Sequence, residues 1–364
     1  MASIDKRHGR WRARWRAPDG NSRCQTFTRK VDAEKHLAAM EHSRHNGQYV
    51  DPGRGRLLFG DWWTDWMTTS AIELRPSTVA RNESYGRSMI LPAFEASQLN
   101  RIDYEAVQRW VSTLSASGKA PATVGKAFQL FGGAMRAAVR ARRIPNDPTQ
   151  GVRLPKVERK EMRYATPAEV ATLAEVIAPR YRALVLLGAY GGLRFGELAG
   201  LRLSRLDLMA RRVDVAETLV EVRGHHHFGP PKTRAGRRSV PIPRVAAVAL
   251  EEHAAELDED ALVFTAPEGG PLRVSQFRRR VWNPAVDAAG LAPLRIHDLR
   301  HTAVAFWIAA GASPKEIASR AGHASVVTVL DRYGHLLPGS EHKVNDALDA
   351  MADAVPTTAL RVVR

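Results

Sequence analysis

The sequence predicts a multidomain protein: a small N-terminal domain of β-sheet plus one helix, an all-α second domain, and a larger α+β domain. The chain has 364 residues, which is enough for two or three domains. Residues 49–56 and 151–163 have the composition of linkers, and the apolar pattern changes across each of them. The predicted domains are therefore residues 1–50, 57–150 and 164–337, followed by a tail of residues 338–364.

A strand with two different faces is predicted for Arg10–Arg16, which reads RWRARWR. Because side chains alternate along a strand, its tryptophans share one face and its arginines the other. A turn signal at residues 18–21 leads to a second predicted strand at residues 23–27. The arginine face predicts DNA binding through Arg10, Arg12, Arg14 and Arg16. The alternative is an amphipathic hairpin whose arginines only maintain solubility.

A helix is predicted to follow this sheet over residues 31–46, with Gly47 as the first residue beyond its end. Its apolar side chains should pack on the tryptophan face of the sheet. The expected contacts are made by Val31, Leu37, Ala38 and Met40.

Four helices are predicted in the second domain, beginning near Phe59, Ser77, Asp103 and Pro121. The first contains the tryptophans of the WWTDW motif, at positions 62, 63 and 66, which we interpret as core residues rather than a base-stacking platform. The fourth carries exposed basic residues, of which Lys126 and Arg136 are candidate DNA contacts.

Charge and cysteine content limit the possible partners and compartments. The formal net charge is +16, and residues 1–56 hold 13 of the 54 basic but only 6 of the 38 acidic residues. A basic segment of this kind favours a polyanionic partner. Cys24 is the only cysteine, so no intrachain disulfide can form, which fits a reducing cytoplasm. No membrane span or signal peptide is predicted.

The third domain begins with a capping-box signal at residues 166–169 and contains six residues suited to phosphoryl chemistry. Arginines can hold two phosphate oxygens at once, and histidines exchange protons near neutral pH. A lysine can protonate a leaving oxygen, and a tyrosine can attack phosphorus to form a covalent intermediate. The six candidates are Arg194, Lys232, His297, Arg300, His323 and Tyr333.

The neighbours of these candidates have expected roles of their own. Glu197 should orient Arg194 through an ion pair, whereas Asp298 and His301 should make structural hydrogen bonds. The arginines at positions 234, 237 and 238 compete with Lys232 for its role. Histidines 225–227 are disfavoured as a metal site, because adjacent residues of a strand face opposite ways.

The motifs that contain the six candidates are, in order, GLRFGEL, PPKTRAGRRSVPI, HDLRHT, AGHAS and LDRYGH. Together they resemble the catalytic domain of the tyrosine recombinases, the phage-integrase family, and in particular the integrases of actinobacteriophages and mycobacteriophages. The resemblance implies that Tyr333 is the nucleophile and that Arg194 and Arg300 bind the scissile phosphate. It further implies that His297 and His323 assist proton transfer and bind oxygens of this phosphate, and that Lys232 protonates the leaving 5′-oxygen.

The resemblance also implies the wider function: cleavage and rejoining of double-stranded DNA through a 3′-phosphotyrosine and a Holliday junction, without metal or nucleotide. Residues 1–50 would bind arm-type sites and residues 57–150 core-type sites. A homotetramer would act on DNA in the bacterial cytoplasm, with a host DNA-bending factor and an excisionase as partners. Two alternatives remain open: a non-catalytic DNA-binding regulator and a type IB topoisomerase-like nicking enzyme.

The tail is predicted to form a helix over residues 341–354 with an apolar stripe at helical spacing. Such a stripe should pack either on its own catalytic domain or on a neighbouring protomer. The stripe consists of Val344, Ala347, Leu348 and Met351, and the end of the chain adds Leu360, Val362 and Val363.

Overall fold

The computed structural model describes residues 2–17, 20–45, 49–158, 162–255, 257–337 and 341–353. The chain divides into two compact units, Met1–Arg159 and Lys160–Arg364. The division falls within the predicted second linker, whereas the boundary between the first two predicted domains remains a prediction. Among the described residues, no helix combines the length and apolar character needed to cross a membrane.

The N-terminal sheet has three antiparallel strands: β1 (Ser3–Arg7), β2 (Arg10–Arg16) and β3 (Ser22–Phe27). The alternation predicted for β2 is confirmed, because Ala13 and Trp15 are buried while Arg10, Arg14 and Arg16 are exposed. β1 was not predicted. It pairs with β2 through a tight turn in which Gly9 has φ +75°.

Helix α1 (Lys30–His45) packs on the sheet as expected, but partly through other residues. Leu37 and Met40 pack against the buried Trp15, as predicted. Val31 and Ala38 are exposed, so their predicted contacts are wrong. Their place is taken by the fully buried Ala33 and by His36, whose ring contacts Trp15 and Phe27 at centroid distances of 5.2 Å. Pro18, Asp19 and Gly47 lie outside the described residues.

A helical bundle forms the rest of the first unit. Its core contains the aromatic side chains of Phe59, Trp63 and Phe131, which are buried, and Trp62 and Trp66 pack against it. The tryptophans are therefore core residues, as predicted. The helices are α2 (Phe59–Ala71), α3 (Pro76–Tyr85), α4 (Leu91–Phe94), α5 (Tyr104–Ala116) and α6 (Pro121–Arg140).

The second unit has one main apolar core. Helices, a three-stranded sheet of order β4-β5-β8 and a two-stranded hairpin β6-β7 surround this core. The strands are β4 (Leu206–Asp207), β5 (Arg212–Val215), β6 (Thr218–Val222), β7 (His225–Gly229) and β8 (Arg238–Pro241). The first six helices of the unit are α7 (Pro167–Val176), α8 (Arg182–Gly191), α9 (Phe195–Ala199), α10 (Arg244–Ala254), α11 (Val274–Phe277) and α12 (Asn283–Ala288). The remaining helices are α13 (Asp298–Ala309), α14 (Pro314–Ala321), α15 (Val327–Tyr333) and α16 (Glu341–Asp353).

Local sequence signals place the helices that carry the candidate site. Thr166 and Glu169 form the predicted capping box at the start of α7. Gly192 ends α8 with φ +65°, and a Cβ there would lie 2.7 Å from the ring of Trp307. Glycine is therefore required both by the left-handed backbone and by the packing of α13 on α8.

Candidate active site

The Arg300 guanidinium lies at the centre of the candidate site. It is buried near the start of α13, with only 3% of its surface exposed. One terminal nitrogen donates to the carbonyl of Gly192 at 2.7 Å, and the other donates to the carbonyl of Ala321. The same second nitrogen lies 3.0 Å from Nε2 of His323. Arg300 thus joins the ends of α8 and α14 to α13 and fixes His323 beside itself.

Arg194 lies at the N-terminus of α9 and is held by Glu197, as predicted. Its guanidinium and its backbone N–H both donate to this carboxylate, at 2.8 and 2.9 Å. Glu197 is almost completely buried and also accepts two hydrogen bonds from Arg238, at 2.9 and 3.2 Å. Arg194 keeps 40% of its side chain exposed. It is therefore oriented on one side and accessible on the other.

Arg238 makes buried contacts that the sequence did not predict. Besides Glu197, its guanidinium binds the carbonyls of Arg320 and Gly236, at 2.6 and 3.0 Å. It therefore ties β8 to α14 and is held by Glu197 and these two carbonyls. Lys232 itself is exposed on the connection between β7 and β8. Among the described residues, the hydrogen bonds of Arg300 do not include Lys232.

Tyr333 is the last residue of α15, and its side chain is 1% exposed. Its hydroxyl lies 2.6 Å from Nδ1 of His301, in a buried hydrogen bond. His301 therefore makes a buried hydrogen bond, as predicted, and its partner is the hydroxyl of the predicted nucleophile. The prediction for Asp298 is confirmed, since it pairs with Arg295 at 2.7 Å.

His297 immediately precedes α13 and is exposed, whereas Arg300, three residues later, is buried. Its ring meets the His301 ring edge-on, with a centroid distance of 5.0 Å. The structure therefore links His297, His301 and Tyr333 in a row of pairwise contacts. His323, next to the left-handed Gly322, contacts Arg300 directly.

Burial and positive charge determine the protonation states of these groups. Burial, assisted by Arg300, lowers the pKa of His323 to about 4. Burial, assisted by His297, lowers the pKa of His301 to about 4. Burial also lowers the pKa of Arg300 to about 9, which still leaves the guanidinium charged at neutral pH. Burial raises the pKa of Tyr333, although Arg300 opposes this shift. At neutral pH the histidines are therefore neutral and Tyr333 keeps its proton.

The neutral state of His323 defines its tautomer. Arg300 can only donate, so Nε2 of His323 accepts and Nδ1 carries the proton. Nδ1 is buried and has no hydrogen-bond partner among the described residues. The tautomer of this histidine is thus set by the arginine.

The lowered pKa of His301 predicts a loss of stability in mild acid. An unperturbed histidine has a pKa of about 6.5, so the unfolded chain binds protons more tightly than the folded one. The stability that the neutral His301 contributes to the folded protein is complete above pH 6.5. It is lost as the pH falls towards about 4. Between pH 7.5 and 5.0 we expect the free energy of unfolding to fall by about 2 kcal/mol from this residue. Urea unfolding at both pH values, with wild type and His301→Gln, measures the difference.

The control for this measurement is His225→Gln, because His225 is exposed on the same unit. It should lose as much stability in acid as the wild type does, whereas His301→Gln should lose less. An equal acid effect in all three proteins would contradict the assignment to His301.

The predicted DNA-contacting residues lie on two surfaces of the first unit. Arg10, Arg14 and Arg16 are exposed on one face of the N-terminal sheet, and Arg12 lies between them in an ion pair with Asp5. Lys126 and Arg136 are exposed on α6. Histidines 225–227 form most of strand β7, where they alternate between its two faces.

Comparison with known proteins identifies the class. The pattern of the phage integrase family matches residues 163–339, and that of the phage integrase N-terminal SAM-like domain matches residues 58–115. The putative prophage phiRv2 integrase of Mycobacterium tuberculosis is 28% identical over 359 residues, which cover 95% of this chain and 94% of that protein. The integrase of Mycobacterium phage D29 is 25% identical over 338 residues, covering 87% and 88%.

Solved structures share the fold. The Tn1549 transposon integrase in complex with a circular intermediate DNA has a TM-score of 0.70 at 16% identity, covering 81% of this chain and 99% of that one. A lambda integrase tetramer bound to a Holliday junction has a TM-score of 0.55 at 16% identity, covering 88% and 92%. The chain belongs to the tyrosine recombinases of the phage integrase type. It is a site-specific recombinase that integrates or excises DNA.

Proposed function

We propose that this recombinase cleaves DNA with Tyr333 while Arg194, Arg300 and His323 bind the scissile phosphate. The observation that supports this most strongly is the buried Arg300 guanidinium, which binds His323 at 3.0 Å beside the row that leads to Tyr333. Two arginines can neutralise the charge that develops on the phosphate oxygens during attack. Because Arg300 is fixed by two carbonyls, the orientation of its guanidinium is set before the phosphate arrives.

The chemical step transfers the phosphoryl group from the 5′-oxygen of DNA to the tyrosine oxygen. The new phosphotyrosine bond conserves the energy of the phosphodiester bond that breaks. The Tyr333 oxygen forms a bond to phosphorus, and the bond from phosphorus to the 5′-oxygen breaks. We assign His301 as acceptor of the tyrosine proton, since its neutral Nδ1 lies 2.6 Å from the hydroxyl. Lys232 then protonates the departing 5′-oxygen, and its exposed position between two strands allows it to reach the DNA. Rejoining reverses these transfers.

The buried hydroxyl implies that the tyrosine helix moves before attack. Tyr333 is 1% exposed, so the DNA backbone cannot reach it in this arrangement. The helix contains Val327, Thr328 and Val329, and β-branched residues of this kind weaken a short helix. Val327 and Leu330 are also 59% and 47% exposed, so little packing holds the outer side of α15.

A nicked suicide DNA duplex tests this function directly. Cleavage near the nick releases a short strand, so the covalent adduct accumulates, and peptide mapping identifies its residue. We expect the adduct on Tyr333. Sequence-specific binding without any adduct would indicate a regulator, whereas relaxation of supercoiled plasmid without pairing of sites would indicate a topoisomerase-like enzyme.

We further propose that the active assembly is a homotetramer on two duplexes, which exchanges strands through a Holliday junction. The lambda integrase tetramer on such a junction has the same fold. The basic surfaces of the first unit would bind arm-type and core-type sites, in the bacterial cytoplasm. Integration and excision would be directed by a host DNA-bending factor and an excisionase.

Removal of the tail should impair assembly but not single-site binding. On α16, Leu348 and Met351 are 56% and 69% exposed, which favours packing on a neighbouring protomer over packing on their own unit. The side chains of Val344 and Ala347, and residues 354–364, lie outside the described residues. Truncation after Gly339 should reduce synaptic complexes in a native gel while binding to one core site persists. Normal synapsis by the truncated protein would exclude this role of the tail.

The arginine face of the N-terminal sheet should contribute separable phosphate contacts. Each lost contact reduces the slope of log affinity against log salt by about 1. Replacing Arg14 and Arg16 with alanine should therefore lower the slope for arm-type DNA by about 2. Cleavage of an isolated core site should continue. Equal losses at arm and core sites would show that this sheet is not a separate DNA-binding surface.

A further inference from the structure

One arginine on the DNA-facing sheet differs from its neighbours. Arg12 donates to Asp5 through Nε at 3.0 Å and through Nη2 at 2.6 Å, in a two-point ion pair. The two residues are direct partners in the register of β1 and β2. In the same register Arg14 faces Ser3 and Arg10 faces Arg7. Within the described sheet, Arg12 is thus the arginine of β2 that faces a carboxylate on β1.

The pair determines which donors of Arg12 remain available. Asp5 occupies the edge of the guanidinium formed by Nε and Nη2. The edge formed by Nη1 and Nη2 remains, with two N–H groups parallel in one plane. Two parallel donors match the O6 and N7 acceptors that guanine presents in the major groove. Because the pair is held at two points, this edge is oriented before DNA binds.

The charge of the pair argues against a simple phosphate contact. Asp5 and Arg12 cancel each other's charge, so the pair gains little from the phosphate backbone. The hydrogen bond from Arg12 lowers the pKa of Asp5, although partial desolvation opposes it, and the carboxylate stays ionised at neutral pH. Arg14 and Arg16 have no carboxylate opposite them in the register and remain exposed for phosphates. The sheet therefore contains two kinds of arginine.

We propose that Arg12, oriented by Asp5, reads a guanine in the major groove and determines the sequence specificity of the arm-type DNA contact. This inference rests on the proposed function of the N-terminal sheet as a DNA-binding surface. Asp5 is a positioning residue, since it acts through Arg12. Arg14 supplies affinity that does not depend on sequence.

Selection of binding sites from a random duplex pool tests the proposal. The full chain is used with Tyr333→Phe in every protein, so that no DNA is cleaved. In the enriched motif, one guanine should be preferred about 10-fold or more over the other bases. Arg12→Ala should abolish that preference at this one position. Asp5→Asn, which keeps the shape but removes the charge, should weaken the preference several-fold without lowering total affinity.

Arg14→Ala is the matched control on the same strand. It should lower affinity for all sequences alike and leave the guanine preference intact. Circular dichroism and thermal unfolding of each variant establish that the sheet still folds, and Arg12→Gln provides a second test. Glutamine pairs with adenine in the major groove, so the preferred base should change from guanine to adenine.

The outcomes distinguish a failure of the proposed DNA binding by the sheet from a failure of the role assigned to Arg12. If no motif depends on the basic residues of the sheet, the proposed arm-type DNA binding fails. If binding depends on Arg14 but the guanine preference is unchanged in folded Asp5→Asn and Arg12→Ala proteins, the ion pair is only a cross-strand contact. That result would overturn the assignment of Arg12 as the base-reading residue.

Discussion

Tyr333→Phe should eliminate the covalent adduct with a nicked DNA duplex while leaving the affinity for that duplex within about 2-fold, since no phosphate contact is removed. Phenylalanine fits the buried space that tyrosine occupies, but it has no oxygen to attack phosphorus. The change leaves Nδ1 of His301 without its partner at 2.6 Å. Loss of this hydrogen bond should cost about 1–3 kcal/mol of stability. Adduct formation in a denaturing gel, together with thermal unfolding, measures both effects.

Tyr181→Phe is the matched control for this experiment. Tyr181 is also buried, and its hydroxyl donates to the carbonyl of Thr265 at 3.0 Å. Its loss should cost comparable stability, but adduct formation should persist. An adduct that survives in Tyr333→Phe, or that disappears in a folded Tyr181→Phe protein, would refute the assignment of the nucleophile.

Short-range patterns explain why much of this fold follows from the sequence. The capping box at Thr166 and Glu169 satisfies backbone donors locally, so it indicates a helix start wherever the rest of the chain lies. Asp103 likewise caps α5, accepting from the backbone of Ala106 at 2.8 Å. The alternation in β2 reflects a sheet with one buried face, which requires no knowledge of its partner strands. Such signals were predicted correctly because their causes lie within a few residues.

Long-range pairing explains what the sequence did not reveal. His301 and Tyr333 are 32 residues apart, and their hydrogen bond depends on how α13 and α15 pack. Arg238 and Glu197 are separated by 41 residues, so no local motif distinguishes Arg238 from the exposed arginines around it. Strand β1 has a short, polar sequence whose pairing becomes visible only beside β2. Of the six candidates, the position of Lys232 is the least defined by contacts with its neighbours.

Arg194→Ala should slow DNA cleavage by about 10²–10³, and its cost in stability is limited by Arg238, which still pairs with Glu197. The loss of one charge-stabilising donor in an active site corresponds to about 2.7–4 kcal/mol in the transition state. Because 40% of the Arg194 side chain is exposed, its removal leaves no large cavity. Single-turnover cleavage of the nicked duplex at saturating protein measures the rate separately from binding.

Arg300→Lys should slow cleavage to a similar extent, for a different structural reason. Lysine retains the charge but cannot bind the carbonyls of Gly192 and Ala321 and the ring of His323 in one plane. His323 then loses its fixed orientation, so its proposed contact with the phosphate is disturbed as well. Thermal unfolding should show a destabilised second unit, since Arg300 also connects three helices.

The matched control for both variants is Arg244→Ala, because Arg244 is exposed on α10 of the same unit. It should cleave at the wild-type rate, which excludes a general effect of removing one positive charge. Glu197→Gln extends the test, since it leaves Arg194 in place but removes the charge that orients it. If cleavage is as fast in Arg194→Ala as in Arg244→Ala, Arg194 does not bind the scissile phosphate, and the site must be built around Arg300 alone.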